Sequence, residues 1–226
     1  MGLKTFPGGI HPHDNKAFSK DKKIEPMPLP KKIVIPLSQH IGAPAKPVVK
    51  IGDEVLAGQK IAGAGGFVSI PMHSSISGKV TKLAQFNHPT GALVQGFEIT
   101  GDGEDKWVEL VDESNFMELS AKDMKERIAE AGVCGMGGAG FPTHVKLSPP
   151  EGKTIDTIIL NGVECEPYLT ADYRIMLEQA EDILTGLKIL MKIVNAKKGV
   201  VGIEANKPDA IKLFKNLLKN EKNISV

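Results

Sequence analysis

Cysteine is scarce in this chain, aromatic residues are few, and neither sign of charge dominates. The 226 residues hold two cysteines, Cys134 and Cys165, and no C-x-x-C pair. A zinc ribbon or an iron–sulfur cluster is built on more such ligands, so neither can be assembled from these residues alone. Aromatics make up 5%, too few for the stacking platform on which single-stranded nucleic acid lies. Lys plus Arg number 28 and Asp plus Glu 27. A balance of +1 carries no electrostatic footprint of a nucleic-acid partner. No window approaches the roughly 18 apolar residues of a spanning helix, so no direct membrane span is expected. The opening MGLKTFPGGIHPHD has no apolar h-region, and Phe6 stands where a myristoylation motif has Ser or Thr. Two free thiols in that setting point to a reducing compartment.

What is present is an apolar fraction of 41% with many glycines and prolines. That supports a packed core in one large domain or two small ones, at roughly 100–200 residues per domain. Residues 1–31 are rich in Pro, Gly, Lys and His and read as an extended arm, because each proline biases its predecessor away from helix. Residues 32–112 read as all-β. KIVIPL is a short strand, and PVVKIGDEVLAGQKIAG is a hairpin-like run punctuated by Gly52-Asp53 and Gly58. GFVSIPMHSSISGKVTKLAQF repeats the style with a turn at Ser77-Gly78, and ALVQGFEIT closes it. Short strands with glycine turns at close intervals suggest a small barrel or sandwich.

The period then changes, and 113–226 reads as an α/β segment. Met124, Ile128 and Ala131 recur at helical spacing, Ser120 and Asp123 form a capping box, and Gly132 sits where a C′ glycine belongs. TIDTIIL (154–160) is a strand expected to be buried on both faces. ADYRIMLEQAEDILTGLKILMKIV is helical with a break near Gln179. KGVVGIEA is a second strand, Asn206 caps a helix with Pro208 in its first turn, and NISV begins a third strand. The β-α-β-α-β order predicts a parallel sheet. A sheet that closes on the first residues of a strand is expected to continue, so the chain reads as part of a longer polypeptide.

Between the first helix and the first strand of that segment lies GVCGMGGAGFPTHVK, with five glycines in nine residues from Gly132 to Gly140. It fits G-x-G-x-x-G literally, but the dinucleotide fingerprint follows a strand and opens a helix, and here the order is reversed. It is not a P-loop, because Phe141 follows Gly140. Two readings stay open. One is a tight connection. The other is a backbone surface on which a flat ring or a phosphate lies directly on the amides, with Lys146 adding charge. The rigid Phe141-Pro142-Thr143 end is unlike a linker. Directly after the 154–160 strand comes NGVECEPYLTADYR. Its Asn161, Glu164 and Glu166 occupy the place where open parallel sheets bind ligands, outside the carboxyl ends of the strands. His11 and His13 lack a third metal ligand. His73 reads as a packed or surface histidine, and Cys134 and Cys165 as small buried fillers.

GMGGAGFPTHVK together with NGVECEP resembles the FMN-binding subunit family of respiratory NADH dehydrogenases. That family has Gly-Arg-Gly-Gly-Ala-Gly-Phe-Pro-Thr-Gly-x-Lys followed by an Asn-x-x-Glu-x-Glu-Pro loop. FPGGIHP, IPLSQHIGAPAKPVVKIGDEVLAGQKI and GFVSIPMHSSISGKV narrow this, since they resemble the C-subunit family of Rnf-type electron transport complexes, over nearly the whole chain. The resemblance implies FMN held by the glycine loop with NADH stacked on it. Carried over by position, the flavin site comprises Gly135, Gly137, Gly138, Gly140, Lys146, Asn161, Glu164 and Glu166. The chain departs from the respiratory pattern at Met136 (Arg there), His144 (Gly) and Val163 (Asp). The Asp helps hold the flavin in that family, so its replacement puts the contacts in question. The resemblance further implies [4Fe–4S] clusters beyond residue 226, ferredoxin as an indirect partner and coupled ion translocation by membrane subunits. It also implies a peripheral place on the cytoplasmic face of a prokaryotic cell membrane. The β half is similar to the barrel-sandwich hybrid of biotinyl and lipoyl carriers, but GGFVSIPMHS lacks their modified lysine. The expected fold is thus α+β in two parts, a barrel-sandwich hybrid followed by a Rossmann-like parallel sheet. The competing readings are a docking module that has lost flavin and a soluble electron-transfer relative.

Overall fold

In a computed structural model of the chain, Ile10, residues 12–111 and residues 115–226 are described. His11, the opening hexapeptide and the expected boundary at 112–113 lie outside them. The described residues pack as two compact units. One runs from Met27 to Lys153; the other joins Thr154–Val226 to the residues preceding Met27. The 12–26 stretch therefore packs with the α/β segment, and the glycine loop packs with the β segment.

The Met27–Lys153 unit carries β1 (Lys32–Pro36), β2 (Lys46–Pro47), β3 (Glu54–Val55), β4 (Lys60–Gly63), β5 (Met72–His73), β6 (Gly78–Asn87) and β7 (Leu93–Gly101). They form two antiparallel sheets of order β1-β7-β6-β3 and β2-β4-β5. Both sheets face one core, with Ile35, Val55, Val80, Phe97 and Ile99 from the first and Ile61, Ala62 and Met72 from the second. Period-2 alternation along β7 aims Phe97 and Ile99 inward. Glu98, between them, is also buried, at 7% exposure, and ion-pairs with Lys32 and Lys82 at 3.2 Å each.

The hairpin-like run PVVKIGDEVLAGQKIAG pairs at its two ends, β2 with β4, but β3 between them is not part of that pairing. β3 pairs with β6 and β4 with β2 and β5, so the chain crosses between sheets at 56–59. Gly78 does more than turn the chain. A Cβ there would stand 2.1 Å from the Thr100 carbonyl oxygen, so two backbones meet where only glycine fits.

Helix α1 (Ala121–Glu130) starts as predicted: the Ser120 hydroxyl accepts from the Asp123 amide at 3.1 Å. The reciprocal half of the capping box differs, because the Asp123 carboxylate accepts from the Ser120 hydroxyl at 2.7 Å instead of reaching its amide. The helix ends on Gly132 at φ +69°, with the Gly132 amide bonded to the Ala129 carbonyl and the Val133 amide to the Ile128 carbonyl. That is a Schellman stop. It turns the chain into the glycine loop, which closes on the one-turn helix α2 (Thr143–Lys146).

The other unit is a parallel sheet of order β10-β9-β8, from β8 (Thr157–Gly162), β9 (Lys198–Ile203) and β10 (Ile224–Ser225). Helices α3 (Ala171–Glu178) and α4 (Ala180–Ile193) connect β8 to β9, with the predicted break at Gln179, and α5 (Pro208–Leu217) connects β9 to β10. Leu187, Val201, Ala210 and Phe214 form the solvent-free centre. Two expectations are corrected. β8 is an edge strand, and its Ile159 is 69% exposed while Ile158 and Leu160 face the core, so it is not buried on both faces. Lys207, not Asn206, holds the N-cap position of α5, without a side-chain cap.

Candidate functional site

The glycine loop is a pinned stem with an open tip. Cys134 and Pro142 form an antiparallel bridge, the Gly135 amide donates to the Phe141 carbonyl at 2.9 Å, and the Thr143 amide donates to the Val133 carbonyl at 3.0 Å. The Ile41 amide holds the Gly140 carbonyl at 3.3 Å. Between these anchors the tip is exposed, and Met136 stands 94% in solvent. The glycines do different things. Gly138 (φ +119°) and Gly140 (φ +56°) adopt backbone that side chains resist, so the turn itself demands them. Gly137 is outside that region, and a Cβ on it would meet nothing within 4 Å. Neither strain nor crowding among the described residues explains its glycine, and its backbone stands open to solvent. A Cβ on Gly138 would also meet nothing. Lys146, although exposed, brings its ammonium to 3.3 Å from where a Gly135 Cβ would be. A cavity of about 450 Å³ adjoins the loop, lined also by Gln39, Met72, His73 and Cys134. That volume lies within the range of cofactor pockets, roughly 300–1,000 Å³. Open amides, a lysine beside them and a cavity of this size fit FMN.

The second cluster sits after β8. The Asn161 side-chain oxygen accepts from the Val163 amide at 3.1 Å and turns the chain out of the strand. Glu164 is buried to 4% exposure and Glu166 is exposed. Every Glu164 oxygen is occupied. Oε1 accepts from the Asp172 and Tyr173 amides at 2.8 and 3.2 Å, capping α3, whose own N-cap Thr170 makes no side-chain cap bond. Oε2 lies 3.4 Å from Lys16 Nζ and 3.8 Å from Lys207 Nζ. Lys207 is itself paired with Glu204, whose carboxylate accepts the Glu164 amide. Two lysines and two glutamates thus balance. Burial works to raise Glu204, but Lys207 and the Glu164 amide hold its carboxyl below the usual range. Tyr173 donates to Asp209 at 2.5 Å, and burial followed by that bond pushes its hydroxyl up to about 12. A cavity of about 430 Å³ opens here, lined by Lys16, Glu164, Tyr173, Asn206, Lys207 and Asp209 among others.

Asp172 is held above the usual carboxylate range, by burial first and then by the charges of Glu164 and Glu166, against which Lys207 and Lys16 pull. A raised carboxyl weakens the fold when it ionises. Stability should fall as pH climbs from its ordinary value of 3.8 through its folded value. Asp172→Asn is expected to flatten that slope in melting curves recorded at successive pH values. A slope equal to the wild type's would refute the assignment.

Of the eight carried-over residues, the four glycines and Lys146 fall in the Met27–Lys153 unit and Asn161, Glu164 and Glu166 in the other. Lys16, Glu204 and Lys207 were missed. For the last two a signal existed, since Glu204 follows β9 as Glu164 follows β8. Cys165 is exposed, correcting its reading as a buried filler; Cys134 is half-buried against the β core. Among the described residues, no group of three His, Cys, Asp or Glu could hold a metal.

Residues 4–104 match the family model of the RnfC barrel sandwich hybrid domain, and residues 128–226 that of the Nuo51 FMN-binding domain. The chain therefore joins a barrel-sandwich hybrid to an FMN-binding domain. It is 52% identical, over 97% of its length and 48% of the relative's, to the C-subunit of the proton-translocating ferredoxin:NAD(+) oxidoreductase complex of Clostridium ljungdahlii. Against the C-subunit of the Na(+)-translocating ferredoxin:NAD(+) oxidoreductase complex of Acetobacterium woodii it is 43% identical, over 98% of the chain and 50% of the relative. Against the C-subunit of the ion-translocating oxidoreductase complex of Serratia proteamaculans it is 40% identical, over 98% and 31%. The chain belongs to the C-subunit family of Rnf-type ion-translocating electron transport complexes. It spans about half the length of the first two of these relatives.

Proposed function

We propose that the chain is the FMN- and NADH-binding portion of a ferredoxin:NAD(+) oxidoreductase, working within a membrane-associated, ion-translocating complex. The observation that carries this reading is the pinned glycine loop with exposed, uncrowded backbone at Gly137 and Gly138, within a chain matched by an FMN-binding family. Gly135, Gly137, Gly138, Gly140 and Lys146 would offer amides and charge to the flavin or its phosphate, and Asn161, Glu164 and Glu166 would serve ribityl or nicotinamide groups. A bound flavin supplies the passage between hydride and single-electron transfer, while the protein supplies position and electrostatics. Iron–sulfur clusters would receive the electrons outside these residues, with ferredoxin and the other subunits as partners. The protein would sit peripherally on the cytoplasmic face; among the described residues no helix is long and apolar enough to cross a membrane. As segments we propose an arm over 1–31, a biotinyl/lipoyl-like barrel-sandwich hybrid over 32–112 without swinging-arm chemistry, and a Rossmann-like flavin and nucleotide segment over 113–226.

One observation favours a second reading, a docking module with altered flavin binding. Val163 replaces the family's Asp, and both Glu164 oxygens are engaged within the protein. An FMN titration of the chain, followed by flavin fluorescence, separates the two. Saturable quenching, with bleaching on NADH addition, is expected from the first. A chain that takes up no FMN would overturn it.

A further inference from the structure

The 12–26 stretch contributes a residue that no motif assigns. Lys16, 15% exposed at its side chain, places all three donors of its ammonium on one loop. Its Nζ lies 3.1 Å from the Glu164 carbonyl oxygen, 3.4 Å from Glu164 Oε2 and 2.8 Å from the Leu169 carbonyl oxygen. These acceptors are the two ends of the loop 164–169 that carries Cys165 and Glu166. Neighbouring residues grip the same loop. The Tyr168 amide donates to the Asp14 carbonyl at 2.7 Å, Phe18 stacks on the Tyr168 ring at 6.3 Å, and the Thr170 hydroxyl donates to the Ser19 hydroxyl at 2.8 Å. Tyr168 stands at φ +67°, a left-handed conformation that a residue with a Cβ rarely adopts unless its surroundings impose it. The loop is thus held in a shape it would not choose alone.

We infer that Lys16 is a positioning residue of the candidate site: its ammonium staples both ends of the Glu164–Leu169 loop and fixes where Glu164 and Glu166 stand. The consequence for ligand binding rests on the function proposed above; the staple does not. With Lys16 present, Glu164 has a lysine besides the Lys207 it shares with Glu204. Without it, both carboxylates depend on Lys207 alone. The loop then loses the bond that ties residue 164 to residue 169, and the Glu164 cap on α3 loosens with it.

The test is amide hydrogen exchange on the 226-residue chain for Lys16→Met, Lys16→Arg and Lys22→Met, the last being an equal change of charge at an exposed lysine. In Lys16→Met the Tyr168, Asp172 and Tyr173 amides are expected to exchange roughly tenfold faster or more, as loss of a bond to a charged group implies. Lys16→Arg restores protection and Lys22→Met leaves it unchanged. If β9 and α5 amides accelerate equally in Lys16→Met, the effect is global and Lys16→Arg decides: rescue supports the staple, and its absence overturns it. Unchanged exchange in Lys16→Met overturns the inference directly. FMN titration of the same proteins keeps the two claims apart. A wild-type chain that binds no flavin fails the functional reading and leaves the exchange result standing. Flavin bound by wild type and Lys16→Arg, but at least roughly tenfold more weakly by Lys16→Met, ties the staple to the site.

Discussion

Glu164→Leu is expected to cost the unit that contains it about 3–5 kcal/mol, the range for breaking a buried ion pair by removing one partner. The side chain is 2% exposed and serves two lysines and two helix amides at once. Leucine fills the volume but leaves Lys16 without its carboxylate and the first turn of α3 without its cap. Glu164→Gln should fall between, because an amide oxygen still accepts the Asp172 and Tyr173 amides while the charge is lost. Glu166→Ala, at an exposed position, should stay within about 0.5 kcal/mol of the wild type. Denaturant unfolding ranks the three. Near-neutral behaviour of Glu164→Leu would mean that the cluster does not hold the loop. This ranking also separates roles that the family motif merges. A carboxylate whose oxygens are all engaged acts on a ligand chiefly by shaping the loop, whereas Glu166 has its carboxylate in solvent and is free to meet one directly.

The two halves of the chain differ in how much of this was legible. The parallel sheet was readable, because each element is a local pattern. The apolar spacing of α3 and α4, the weak point at Gln179 and Pro208 in the first turn of α5 all act within a few residues, and the β-α-β order leaves little choice of pairing. The β half was readable in class but not in pairing. β3 and β4 sit four residues apart yet enter different sheets, and nothing local distinguishes that crossing from a hairpin. Strand burial failed for a related reason. The apolar run in β8 is continuous, but whether a second layer covers the face that carries Ile159 is a property of the whole fold.

The site divides the same way. The glycine loop announced itself, since glycines are written in the sequence and only their reasons are hidden. Lys16 was invisible, because its partner Glu164 lies 148 residues away and a lysine in a polar arm looks like any solvated lysine. Glu204 and Lys207 were within reach. The rule that places ligands at the carboxyl ends of parallel strands applies to β9 as well as to β8.

Gly137→Val should leave the fold within about 0.5 kcal/mol of the wild type and weaken FMN binding by at least about tenfold. The added side chain meets no protein atom within 4 Å of its Cβ and needs no unusual backbone, so it can obstruct only what comes from outside. Gly138→Val should also block the flavin, but at φ +119° it carries backbone strain of about 1–3 kcal/mol as well. Gly140→Val should be the least stable of the three, because its φ of +56° is joined by contacts of 3.1 Å to the Gln39 carbonyl oxygen and His40 Cα. Stability therefore ranks Gly137→Val above Gly138→Val above Gly140→Val, while flavin binding fails in all of them. Thermal melts and fluorescence titrations on the same samples measure both quantities. The first variant decides the matter. If the folded Gly137→Val protein binds FMN as the wild type does, nothing approaches that amide, and the glycines of this loop serve the turn alone. If it folds normally and binds no flavin, the missing side chain is there for the ligand, and the strained glycines on either side of Ala139 exist to present that open backbone.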